Sequence, residues 1–268
     1  MDAPYFALIP VVGAVIVACW LLSVLTRNYS WVDRLWSIAP PCYVAYVAGA
    51  ADFADARLNL MAILVALWGG RLTYNFARKG GYRPSEEDYR WGVLRGILGP
   101  RWFQVFNATF IAGYQNALIF LLTAPAHAAW EHRGAPLGAA EVGLAALFLA
   151  LLAGETIADE EQWRFHERKK AAAARGVTIE PPFCTSGLFA VSRHPNFFCE
   201  LSMWWVFYGF AVAASGAWLG WTISGALLLT LLFDGSTRFT ESITASKYPG
   251  YAEYQRRVSR LIPWRPRA

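Results

Sequence analysis

Four polar groups in this 268-residue chain have residue types and spacings that suit chemistry. Glu155, Asp159, Gln162 and His166 step by four, three and four, so a continuous helix carries them on one face. Carboxylates on such a face accept hydrogen bonds from a ligand's hydroxyl or amide groups. The plainer reading is a helix that leaves a membrane and becomes charged, with Glu160, Glu161 and Arg164 as its solvated sides. Both readings stand for Asp159, and His166 takes the second. The next group is Ser192-Arg193-His194-Pro195-Asn196-Phe197-Phe198-Cys199-Glu200. Pro195 suits the first turn of a helix, whose free N–H groups, flanked by Arg193 and His194, form an anion site fit for a phosphate. Asn196 and Glu200 are four apart and share a face. Read plainly, Arg193 is a lipid-headgroup anchor and Glu200 needs a partner on another helix or a pocket.

A third group runs Arg71, Asn75, Arg78, Lys79, Arg83 and then Glu86-Glu87-Asp88-Tyr89-Arg90-Trp91. Most of these charges read as topological signals and solvated loop, with Tyr89 and Trp91 at a membrane interface. Arg71 lies about two turns inside an apolar stretch, where it snorkels or pairs with Asp33, Asp159 or Glu200. The fourth group, Tyr114-Gln115-Asn116, is a polar patch within another apolar stretch. His127, Glu131 and His132 read as an exposed loop, since their spacing fits no common zinc pattern. The sequence holds no CxxC, HExxH, P-loop or GxGxxG motif.

The elements that must position these groups follow from composition. Hydrophobic residues make up 56% of the chain and charged residues 16%, against about 25% charged in an ordinary globular domain. Mean hydropathy is +0.30, and 13 Trp, 12 Tyr and 17 Phe suit membrane interfaces and lipid pockets. That excludes a disordered chain, a secreted disulfide scaffold and a charged nucleic-acid-binding domain. Seven stretches approach the roughly 20 apolar residues a spanning helix needs: 4–25, 35–51, 58–77, 103–124, 137–158, 196–214 and 217–234. The first lacks a basic leader and a small-residue cleavage site, so it reads as a span and not a cleaved signal. The predicted fold is all-α, one integral-membrane domain over 1–268 with about seven transmembrane helices.

Charge orients it. Segments 26–34, 78–102, 159–195 and 235–268 fall on one side and hold 21 of the 24 Lys and Arg, while the other side holds only Arg57 and Arg133. By the positive-inside rule the crowded side is cytoplasmic, with the N-terminus out and the C-terminus in. The net charge of +5 is thereby a matter of topology, and no nucleic-acid partner is expected. Cys19, Cys42 and Cys199 fall in or at spans and Cys184 in a cytoplasmic loop, so structural disulfides are not expected.

Ser192–Glu200 followed by Trp204-Trp205, the upstream Glu155-Thr156-Ile157-Ala158-Asp159-Glu160-Glu161-Gln162, and the tail Lys247-Tyr248-Pro249-Gly250-Tyr251 with Leu261-Ile262-Pro263-Trp264 resemble the steroid 5α-reductase superfamily. The likeness is to its bacterial branch of membrane proteins with a steroid-dehydrogenase-like C-terminal domain. It covers most of the chain and is strongest over 150–268; the Arg-His-Pro-Asn segment alone also resembles isoprenylcysteine methyltransferases. The resemblance implies a seven-helix oxidoreductase that holds NADPH in a cytoplasm-facing cavity without a Rossmann fold. It implies an integral location in a bacterial inner membrane, a hydrophobic substrate entering from the bilayer, contact with membrane lipids and no metal. By position, Asp159 matches the family's cofactor-contacting aspartate, and Asn196 and Glu200 match its Asn-x-x-Gly-Glu segment with Cys199 in place of the glycine. Arg71 and Arg83 align with basic residues around the third helix, and Arg238 with the basic stretch before the tail; His194 would sit near the phosphates.

The steroid enzymes use a glutamate after the first helix and a tyrosine on the third to polarise a ketone, where this chain has Asp33 and Trp68. An indole donates one N–H and accepts nothing, so the shorter acid Asp33 keeps the glutamate's role while Tyr74 or Tyr114 substitutes for the tyrosine; Asp33 and Tyr114 are the candidate catalytic residues. The reaction implied is NADPH-dependent reduction of an activated C=C bond in a lipid-like or steroid-like enone. The alternatives are an S-adenosylmethionine-dependent membrane methyltransferase and a non-catalytic lipid-binding membrane protein.

Overall fold

The computed structural model describes residues 3–267. Among the described residues every regular element is helical. In chain order these are α1 (Pro4–Ala7), α2 (Ile9–Thr26), α3 (Trp31–Trp36), α4 (Ala39–Gly49), α5 (Ala56–Arg78) and α6 (Tyr89–Phe106). A π-helical stretch, Asn107–Tyr114, leads into α7 (Gln115–Leu122) and α8 (Pro125–Glu131). Then come α9 (Ala139–Ala173), a 3₁₀ turn at Gly187–Ala190, α10 (Pro195–Ser215), a second such turn at Trp221–Ile223, α11 (Ser224–Lys247) and α12 (Tyr251–Arg257).

Among the described residues, five stretches are long and apolar enough to cross a membrane: Pro4–Thr26, Ala56–Arg78, Tyr89–Glu131, Ala139–Ala173 and Pro195–Ser215. They contain five of the seven expected spans. The other two are helical but fall short, each for a visible reason. The 35–51 segment is divided between α3 and the 11-residue α4, which at 1.5 Å per residue is too short to span. The last begins at the Trp221–Ile223 turn, and from its middle onward α11 carries Asp234, Arg238 and Glu241. The expected loop 78–102 is also partly helical: Asp88 caps α6 by accepting from the Arg90 N–H at 2.9 Å. Gly99 (φ +73°) and Pro100 then kink that helix. The fifth span runs on to Ala173, about four turns past its expected end.

The chain divides into two compact units, one of residues 1–146 with 206–229 and the other of 147–205 with 230–268. In the first, Gly69 lets α5 approach the start of α4. A Cβ there would lie 2.5 Å from the Ser37 carbonyl oxygen and 2.6 Å from Pro41 Cγ. Gly69→Ala is therefore expected to cost about 1–3 kcal/mol through overpacking, read as a lower unfolding midpoint in detergent. The same unit buries Arg57, whose Nε and Nη2 donate to Glu141 Oε1 at 3.0 and 2.8 Å, with Nη1 on the His132 carbonyl. His127 is buried too, between Tyr5, Phe6 and Trp221, and its Nε2 lies 3.5 Å from Glu131. The expected exposure thus holds for Glu131 and His132 but not for His127, because Pro125 opens a helical turn whose apolar side faces those rings.

In the second unit, α9 and α10 approach closely where Gly154 meets Cys199. A Cβ on Gly154 would be 3.0 Å from that sulfur, the small-residue contact that membrane helices favour. Beyond it, Tyr251, Tyr254 and Val258 form a small core joined by Phe183, Ala245 and Tyr248. Lys169 Nζ reaches the Pro182 carbonyl at 2.7 Å and the Tyr248 hydroxyl at 3.2 Å, tying the tail to the end of α9.

Candidate functional site

The second unit brings together the residues expected on α9 and α10. Because α9 is unbroken, Glu155, Asp159, Gln162 and His166 do share one face. Their exposure grades along it: Glu155 and Asp159 are buried, Gln162 is half-buried and His166 is exposed. Helix α10 begins at Pro195. One residue on, Asn196 Nδ2 donates to Asp159 Oδ1 at 3.4 Å, a long bond linking the two helices. Glu200 follows one turn later, half-buried. The Asp159–Asn196 pair offers carboxylate acceptors and an amide that both donates and accepts, a donor set suited to ribose hydroxyls or a carboxamide.

The segment before α10 is built differently from the expectation. Arg193 is no headgroup anchor: its Nε and Nη2 donate to Glu241 Oε1 and Oε2 at 2.6 and 3.0 Å. His194 Nε2 lies 3.0 Å from Glu241 Oε1, and Gln255 Nε2 donates to Oε2 at 2.9 Å. Burial alone would raise the Glu241 carboxyl; the hydrogen bonds from His194, Arg193 and Gln255 outweigh it and hold its pKa at about 2. The Arg193 and His194 N–H groups are also taken, donating to the Ser259 and Arg260 carbonyls at 2.8 and 3.1 Å. Ser192 Oγ donates to the Leu261 carbonyl at 2.7 Å, and the Trp264 N–H to Val191 at 3.0 Å. The C-terminal tail is thus clasped across the residues read as a phosphate site. Arg238 is exposed and pairs with Asp234 at 2.9 Å.

In the first unit, the half-buried Asp33 accepts from Trp91 Nε1 at 3.3 Å. Trp91 is buried, with its indole N–H facing this carboxylate. Burial, with the Asp88 charge adding to it, pushes the Asp33 carboxyl above the usual range against the pull of Arg90, Ser30 and Trp91. Tyr114 donates its hydroxyl to the Leu228 carbonyl at 2.9 Å, so it and Asp33 hold different partners. Trp68 is fully buried, Arg71 half-buried and Arg83 exposed. Around Asp33 the chain is stapled: buried Arg34 donates to the carbonyls of Gly81, Arg83 and Glu86. Asn28 Nδ2 bonds the Pro84 and Glu86 carbonyls, and the Tyr29 N–H bonds Glu87. Glu87 and Asp88 are therefore structural acceptors and not solvated loop.

Compared with known proteins, residues 19–258 match the family described as "Protein of unknown function (DUF1295)". The chain belongs to that family. It is also 38% identical over 259 residues to an uncharacterised protein of Schizosaccharomyces pombe, an alignment covering 91% of this chain and 75% of the yeast protein. No solved structure matches it. The DUF1295 match takes in both units, including Asp33, Asp159, Asn196, Glu200 and Glu241.

In this DUF1295 member the side chains that hold the candidate site's surroundings together include Arg34, Glu241 and Gln255, which residue type alone does not single out. A basic residue near a membrane reads as topological charge, which hides its partner. Glu241 carried the one usable hint, as an acid on the last long helix among the seven Lys and Arg after residue 234.

Proposed function

We propose that the protein is a membrane oxidoreductase of the steroid 5α-reductase type, reducing an activated C=C bond of a lipid-like or steroid-like enone with NADPH. The observation that carries this reading is the buried Asp159 joined to Asn196 across α9 and α10, at the positions where the resemblance puts cofactor contacts. A nicotinamide cofactor bound there supplies hydride to the β-carbon. Asp159, Asn196 and Glu200 orient it through its sugars or carboxamide. His194 and Arg193 do not suit its phosphates as placed, because both face Glu241. In the first unit, the raised pKa of Asp33 favours the neutral acid that can donate, which suits the hydrogen bond to a substrate oxygen that the resemblance gives that position. A hydrogen bond to an oxygen that gains charge only in the transition state lowers the barrier selectively. Tyr114 joins it only by giving up the Leu228 carbonyl.

Titrating purified protein with NADPH, NADH and S-adenosylmethionine by thermal shift tests the proposal. NADPH should stabilise, and Asn196→Ala and Glu200→Gln should each weaken it by about tenfold, the worth of one hydrogen bond to a charged or buried group. Stabilisation by S-adenosylmethionine alone would replace the reductase with a methyltransferase. Stabilisation by none of the three removes both.

A further inference from the structure

Helix α12 and the residues after it border a cleft of about 280 Å³ whose lining includes Arg257, Arg265, Arg267, Gln255 and Trp264. Other arginines on its wall are neutralised: Arg193 by Glu241, Arg256 by Glu253 and Arg260 by Asp234. Among the described residues, the guanidinium groups of Arg257, Arg265 and Arg267 have no carboxylate partner. The backbone nevertheless holds them around one small space. The Arg267 N–H donates to the Arg257 carbonyl at 2.8 Å, and the Trp264 N–H ties the same strand of chain to Val191. All three side chains are exposed, so an anion can reach them, and guanidinium forks match phosphate oxygens. Beside them Ile262 and Trp264 point outward, 63% and 71% exposed, the pairing of apolar and aromatic groups found at a bilayer interface.

We propose that this cleft binds a phosphate group, and that the phosphate is the headgroup of an anionic lipid. None of its uncommitted arginines is used in the reductase reading, so either proposal can fail alone. The test is intact-complex mass spectrometry of the full chain in neutral detergent, titrated with short-chain phosphatidylglycerol, short-chain phosphatidylcholine or inorganic pyrophosphate. Phosphatidylglycerol should bind more tightly than phosphatidylcholine, whose choline offsets the phosphate charge. At about fivefold for each arginine near a membrane surface, Arg257→Gln, Arg265→Gln and Arg267→Gln together should weaken it on the order of a hundredfold. The same charge removed from α9 and the turn after it, as Arg164→Gln, Arg168→Gln and Arg175→Gln, should leave it unchanged. If the tail triple does not fold, Arg265→Gln and Arg267→Gln singly should each show the fivefold loss. Binding that survives the tail substitutions, or that falls equally in the α9 control, overturns the proposal. Pyrophosphate binding without lipid binding would assign the phosphate to a soluble compound and overturn the lipid source.

Discussion

Glu241→Gln is expected to destabilise the second unit by about 3–5 kcal/mol, the cost of leaving a buried charge without its partner. Arg193 has a side chain only 9% exposed and Glu241 one 6% exposed, so water cannot replace the lost carboxylate. The loss should exceed that single pair, because His194 and Gln255 donate to the same group. The tail carbonyls that receive the Arg193 and His194 N–H groups would then be freed as well. Thermal unfolding of the purified protein reads the loss, and limited proteolysis should cut first within 255–264. An unchanged midpoint would show that the clasp contributes nothing. The acid dependence follows with a definite sign. Glu241 has a folded pKa of about 2 against an ordinary 4.5, so its contribution is complete above pH 4.5. It is lost as pH falls from there toward 2, and amounts to roughly 3 kcal/mol at 1.36 kcal/mol per unit. In Glu241→Gln that part of the acid sensitivity should vanish.

Removing one partner of the Arg57–Glu141 pair should cost the first unit a similar 3–5 kcal/mol. Both side chains are almost wholly enclosed, 4% and 5% exposed, and one carboxylate oxygen takes two guanidinium bonds. Arg57→Met strands Glu141, whose other oxygen accepts from the Gly138 N–H at 3.0 Å. Glu141→Leu strands Arg57 with only the His132 carbonyl. Desolvation decides what the double change does: Arg57→Met with Glu141→Leu removes both buried charges, and an apolar pair of similar volume is often neutral or stabilising. The double variant should therefore recover most of the stability lost by either single change. A double variant as unstable as the sum of the singles would mean that the two groups act through separate partners.

Much of the architecture is legible in single residues. Apolar run length is a property of the chain alone, so α2, α5 and the long cores of α9 and α10 are visible without coordinates. Pro195 announces the start of α10 because proline at the first turn sacrifices no hydrogen bond. The four–three–four spacing from Glu155 to His166 is a statement about helical periodicity, and it holds because α9 does not break. The edges of α4 and α11 were less legible. Pro40 and Pro41, and the charges after residue 233, interrupt the runs in ways that hydropathy averages over.

What the sequence determined by itself was therefore the all-helical, membrane-type character of the chain and the face that Asp159 occupies. Only the tertiary structure decided which charges are solvated and which are paired. Arg193, Arg34 and Arg57 looked like interfacial or topological cations, yet each is buried against acceptors 47 to 84 residues away. The physical reason is that a side chain's charge is local, whereas its desolvation and its partner are set by segments far off in sequence. A lone arginine at a helix end reads the same whether it meets water, a headgroup or Glu241.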